Sequence, residues 1–150
     1  MIVESIDYLS PSLGRDLKES LRNTGFAVLR NQPIAPERVS DLYLAWAEFF
    51  ATDDKFSYLF EPSRQEGYFP LYSENAKSTA TKDLKEFFHV YSDARLPPNL
   101  EAETRKMFGA LLDLGTELLG LLEKELPKRV ASLFSIPMSD MLRGSEQNLL

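Results

Sequence analysis

Apolar residues recur at four-residue steps through Leu13, Leu17 and Leu21, which makes one stripe of an amphipathic helix. Ser10 offers a hydroxyl cap, and Pro11 suits the first turn, where its missing N–H costs nothing. Gly25 can take the left-handed conformation that closes a helix, so the pattern predicts a helix over about 11–23. The next run, Phe26-Ala27-Val28-Leu29, is too short for a stable helix and is bounded by Gly25 and Asn31. It predicts a buried strand over about 26–30. A helix opening at Pro36 follows, with Val39, Leu42, Tyr43, Trp46, Phe49 and Phe50 on one face. Large aromatic side chains at this spacing belong to a core. Asp53 and Asp54 favour the positive end of a short helix, Lys55 to Phe60, that Pro62 stops.

Residues 61–82 show little periodicity and read as a long loop, a length that is uncommon in compact domains and often functional. The segment Lys85 to Tyr91, KEFFHVY, is rich in aromatic residues and predicts a strand. The longest signal is Leu100, Met107, Leu111, Leu114, Leu118, Leu121 and Leu122, the apolar stripe of a helix over about 99–125. Shorter helical pieces are expected at 128–135 and from Ser139 to Leu142. Residues 2–9 read as an extended lead-in, and 147–150 turn apolar again as the start of a strand. Two internal strands alone are marginal in water, so the sheet they belong to is expected to be incomplete here. The fold class is therefore α+β, mainly helical, with strands at about 26–30, 85–91 and 147–150.

The 150 residues fit one domain, able to bury roughly 70% of its unfolded surface. With no cysteine, disulfides and thiolate metal sites are excluded. The net charge of −6 and the lack of a basic stripe argue against nucleic acid. No apolar run approaches the ~20 residues that span a bilayer, and the first residues lack the basic and apolar regions of a signal peptide. A cytoplasmic protein is the expectation.

Candidate chemistry is sparse. A non-haem Fe(II) centre needs two imidazoles and a carboxylate on one face. The chain has one histidine, His89, inside an aromatic strand, where packing is the ordinary role. No serine lies in a nucleophile-elbow context, and the seven glycines are scattered rather than gathered in a phosphate loop. Asp83, Lys85 and Glu86 read either as a solvated strand start or as groups that fix the strand and orient the loop before it. Arg64, Tyr68 and Tyr72 read either as surface loop residues or as a pocket mouth. In the second case Arg would grip a carboxylate, and Tyr would offer a flat face with a hydroxyl.

Several pieces occur in a telling order. Gly25-Phe26-Ala27-Val28-Leu29-Arg30-Asn31 precedes a proline-started helix with Phe49-Phe50, then Lys55. Gly67-Tyr68, Glu74-Asn75-Ala76-Lys77 and Asp83-Leu84-Lys85-Glu86-Phe87-Phe88-His89-Val90 come next. Over most of its length, about 2–150, the chain resembles the N-terminal region of the isopenicillin N synthase-like 2-oxoglutarate and Fe(II)-dependent oxygenases. The resemblance implies helices and flanking strands that buttress a double-stranded β-helix, or jelly-roll, core. Most of that core would lie beyond residue 150. It implies a long support helix at 99–125 and a loop at 67–82 approaching the pocket, with Arg64 and Tyr68 near substrate. It also implies Fe(II) and 2-oxoglutarate for the intact protein. Residues 1–150 hold neither a His-x-Asp pair nor a second histidine, so the resemblance implies that the family's iron ligands, and the Arg-x-Ser that binds 2-oxoglutarate, lie further on. The expectation is therefore an N-terminal domain, inactive alone, whose partners are the missing C-terminal catalytic half and a small-molecule substrate. The alternative is a non-catalytic helical module that recruits a partner through exposed strand edges.

Overall fold

The computed structural model describes residues 2–75, 77, 79–142 and 148–150. The chain divides into two compact units, Met1–Pro36 with Gly109–Ser145 and Glu37–Phe108 with Glu146–Leu150.

In the first unit, strand β1 (Ser5–Asp7) pairs in parallel with β2 (Val28–Arg30), in the register Ser5↔Val28, Ile6↔Leu29 and Asp7↔Arg30. Parallel strands need a crossover, and helix α1 (Leu13–Thr24) supplies it. Leu13 and Leu17 are buried, as their spacing predicts. The helix starts two residues later than expected because Ser10 to Ser12 form a turn, in which the Leu13 N–H donates to the Ser10 carbonyl. Ser12 Oγ donates to Asp16 Oδ2 at 2.6 Å instead of capping the backbone. Gly25 closes the helix at φ 77°, its N–H on the Leu21 carbonyl. Gly14 allows close approach to helix α3 (Pro98–Lys124), since a Cβ there would meet the Leu121 carbonyl oxygen at 3.4 Å. Lys18 pairs with Glu125 at 3.3 Å, just past that helix.

The expectation of a buried strand at 26–30 is corrected. The strand is Val28–Arg30, and Phe26 and Val28 are 69% and 51% exposed. One parallel neighbour and one crossover helix leave much of a three-residue strand uncovered. Helix α4 (Lys128–Ala131) and a 3₁₀ turn at Met138–Met141 follow α3.

In the second unit, helix α2 (Pro36–Phe50) leads into a 3₁₀ turn at Asp53–Tyr58, which replaces the helix expected from Lys55 to Phe60. Strand β3 (Gly67–Phe69) pairs antiparallel with β4 (Phe87–His89), register Gly67↔His89, Tyr68↔Phe88 and Phe69↔Phe87. A strand thus stands inside the stretch expected to be loop, because three residues carry no readable alternation and β4 supplies their hydrogen bonds. The strand predicted at 85–91 is shorter, but Val90 and Leu150 exchange two backbone hydrogen bonds, at 3.1 and 2.9 Å. Of the strand predicted at 147–150, Gln147 lies outside the described residues and 148–150 are not part of a named strand.

The core of this unit is aromatic. The Trp46 ring lies 5.5 Å from Phe49, 5.8 Å from Phe50 and 5.0 Å from Phe88. Its indole N–H donates to the hydroxyl of Thr104, which is fully buried on α3 beside Leu100 and Met107. Val90, Ala94 and Leu96 pack against Trp46, Phe88 and Phe108. Tyr43 departs from the predicted stripe. It is 75% exposed, because it lies at the edge of the arc that Trp46 and Phe49 bury.

Candidate functional site

Two side chains from separate elements, Lys55 and Tyr68, meet at Glu86. Tyr68 Oη on β3 donates to Glu86 Oε2 at 2.5 Å, and Lys55 Nζ donates to the same oxygen at 2.9 Å. Lys55 also reaches the Phe50 carbonyl at 2.6 Å and lies 5.5 Å above the Tyr68 ring. Tyr68 is 1% exposed, so its hydroxyl needs a partner, and Glu86 supplies it. The end of α2, the 3₁₀ turn, β3 and the start of β4 are thereby held together.

These bonds displace the titrations. The Tyr68 hydrogen bond, then that from Lys55 and its charge, hold the Glu86 carboxyl below its ordinary 4.5. Burial, then the bond to Glu86, raises Tyr68 above its ordinary 10. The bond to Glu86 raises Lys55. A depressed carboxyl stabilises the fold above its unfolded value, and that contribution is lost as pH falls through the folded one. The raised tyrosine and lysine contribute below their unfolded values and lose this as pH rises through the folded ones. Wild-type stability is therefore expected to fall more steeply between about pH 5 and about pH 3 than that of Glu86→Gln, which cannot titrate there. Thermal unfolding of both proteins across this range checks it; parallel curves would refute it.

The loop after β3 folds onto its own ends. Tyr72 N–H donates to the Asp83 carbonyl at 3.3 Å, and Asp83 N–H to the Glu74 carbonyl at 2.9 Å. Lys85 Nζ sits 3.4 Å from Glu74 and 3.5 Å from Asp83. Asp83 and Lys85 thus tie down the loop, while Glu86 fixes the strand from the other side. Tyr72 stands at φ 61° with its side chain 57% exposed.

Arg64 grips the buried Glu66 through Nε at 2.7 Å and Nη2 at 3.4 Å, and Nη2 also reaches the Asp93 carbonyl at 3.1 Å. It lines a cleft of about 290 Å³ with Tyr58, Glu61, Glu66 and Arg95. The three candidates from sequence do not share one wall: Arg64 lines this cleft, Tyr68 is buried, and Tyr72 lies out on the loop. Two residues carried no signal in the sequence, Glu66 and Arg95. Arg95 stands between the buried Ala94 and Leu96, a placement that only the fold reveals. Its guanidinium lies 4.8 Å over the Tyr58 ring.

Among the described residues no three His, Cys, Asp or Glu side chains are grouped to hold a metal ion. His89 is half-buried, its ring 4.6 Å from Phe69 and 5.0 Å from Phe87. One packed imidazole does not fit the donor set of an Fe(II) centre. No helix among the described residues is long and apolar enough to cross a membrane.

The chain belongs to the non-haem dioxygenase family, of which it carries the N-terminal region. The family model described as "non-haem dioxygenase in morphine synthesis N-terminal" matches residues 5–109. Among solved structures, the chain is similar to a "Putative oxygenase from Shewanella oneidensis", with 35% identity, a TM-score of 0.88, and 99% of this chain covered against 52% of that one. It is also similar to a full-length Neurospora crassa protein in complex with alpha-KG, at 18% identity and a TM-score of 0.65, covering 81% of this chain and 46% of that one. A further structure of the same Neurospora crassa protein, with alpha-KG and thymine, aligns at 17% identity and a TM-score of 0.66, covering 81% of this chain and 47% of that one. At these identities the two Neurospora crassa likenesses show a shared fold. The chain spans about half the length of the structures it matches. Comparison with curated proteins gave no match.

Proposed function

We propose that this chain is the N-terminal domain of an Fe(II)- and 2-oxoglutarate-dependent oxygenase that modifies a small molecule. Its metal and co-substrate ligands would come from a jelly-roll part that these 150 residues do not contain. The observation that carries the reading is near-complete coverage of this chain, at 35% identity, by half of a protein described as an oxygenase. The alpha-KG held by the Neurospora crassa protein supports the choice of co-substrate. In this reading the domain buttresses the core through α3. The segment 64–72 borders the substrate pocket, with Arg64 and Tyr72 exposing their side chains and Tyr68 holding the backbone through Glu86.

Two measurements test this. The 150-residue chain is expected to bind neither Fe(II), under anaerobic conditions, nor 2-oxoglutarate with micromolar affinity, and calorimetry reads both. Micromolar binding of both would overturn the reading. The coding sequence past the Leu150 codon is expected to specify a His-x-Asp, a later His and an Arg-x-Ser. A stop codon there, with a monodisperse protein, would instead favour a non-catalytic interaction module. The exposed Phe26 and Val28 of the first unit would then be the surface to examine.

A further inference from the structure

The second unit holds one arginine that, among the described residues, has no ion-pair partner. Arg38 pairs with Glu103 at 3.7 Å, Arg64 with Glu66 at 2.7 Å and Arg105 with Glu101 at 2.9 Å. Arg95 makes no such pair, yet it is well held. Its neighbours Ala94 and Leu96 are buried, its backbone N–H donates to Glu66 Oε1 at 3.3 Å, and its guanidinium lies against Tyr58. A guanidinium lying over an aromatic ring keeps its N–H edge available, the geometry that matches a carboxylate with two parallel bonds.

Arg95 lines both the cleft it shares with Arg64 and a second cleft of about 490 Å³, within the usual range for small-molecule sites. Tyr58 and Pro97 give it an apolar wall, and Asn99 an amide. Glu48 and Asp54 line the same cleft, and neither has an ion-pair partner among the described residues. These charges choose the ligand. A simple anion would meet two carboxylates, and a simple cation would leave the arginine unanswered beside it. A molecule carrying both charges a few bonds apart answers both sides.

We propose that this cleft binds a small zwitterion of the α-amino-acid type. Arg95 takes its carboxylate, Glu48 and Asp54 face its ammonium, and Tyr58 with Pro97 receives its side chain. The site lies within one unit and requires no iron, so it stands or falls separately from the oxygenase reading.

The test uses three probes on the unaltered 150-residue chain: L-phenylalanine, N-acetyl-L-phenylalanine, which is only an anion, and L-phenylalaninamide, which is only a cation. Titrations followed by nuclear magnetic resonance are expected to show saturable binding of phenylalanine, with each blocked derivative at least about tenfold weaker. Arg95→Gln is expected to reduce phenylalanine binding to the level of the amide. Glu48→Gln combined with Asp54→Asn is expected to remove the preference over the N-acetyl form. Because Arg95 is exposed, circular dichroism is expected to show an unchanged fold in its variant. Absence of saturable phenylalanine binding would overturn the proposal, as would equal affinity for a blocked derivative or undiminished affinity in Arg95→Gln. The probe comparison on the unaltered chain decides the matter even if a variant misfolds.

Discussion

Trp46→Ala is expected to cost about 3–5 kcal/mol of folding stability, the range for removing a large aromatic side chain from a core. The ring lies within 6 Å of Phe49, Phe50 and Phe88, so its loss leaves a void that three stiff neighbours cannot close. The void has a polar side as well. The Thr104 hydroxyl, with no exposed surface, loses the indole donor that serves it. Against a total of roughly 5–15 kcal/mol for a native protein, such a loss approaches unfolding. Trp46→Phe keeps a six-membered aromatic ring in place and removes the N–H with the rest of the indole, so it is expected to cost less, about 1–2 kcal/mol. Denaturant unfolding of both variants reads the difference. Equal losses would show that the part of the indole that Phe lacks, with its N–H, dominates over the six-membered ring that Phe keeps.

Gly67→Ala is expected to cost about 3 kcal/mol or more, from backbone strain and overpacking together. Gly67 stands at φ +112°, which L side chains rarely adopt. A Cβ there would also meet the Tyr58 carbonyl oxygen at 2.7 Å and that of Leu59 at 3.0 Å. Both are backbone atoms and cannot swing aside. They belong to the segment that runs beside β3, where the Phe60 N–H donates to the Tyr68 carbonyl at 2.9 Å. Gly109→Ala is the control. It lies inside helix α3, its added methyl would meet nothing within 4 Å, and it is expected to stabilise by up to about 1 kcal/mol through helix propensity. The two glycine variants are thus expected to shift the unfolding midpoint in opposite directions. A shift of the same sign in both would refute the argument from local geometry.

The helices were the most legible part of this chain, for a physical reason. Leu13, Leu17 and Leu21, or Leu100 through Leu122, repeat a period often enough to register, and a helix satisfies its own backbone bonds. Its existence therefore depends little on what lies beside it. The strands were less legible because each pairs over three residues and draws its hydrogen bonds from a distant partner. Gly67–Phe69 looked like loop until Phe87–His89 stood opposite it. Phe26 and Val28 looked buried because apolar residues usually are, but burial depends on a covering layer, and little in this chain covers them.

The site divides along the same line. Lys55, Gly67-Tyr68 and Glu86 stood out as a pattern of residue types along the chain, sufficient for the family. Their meeting at one carboxylate oxygen, across 31 residues from Lys55 to Glu86 and 18 from Tyr68, could not be read from the order of residues. By itself the amino-acid order determined the helical frame, the lack of a second imidazole and the family. Only the tertiary structure decided that Tyr68 is buried, that Arg64 spends its charge on Glu66 and that Arg95 keeps its own. Helical periodicity is a local property of the chain, whereas burial and charge pairing depend on which distant side chains arrive beside each other.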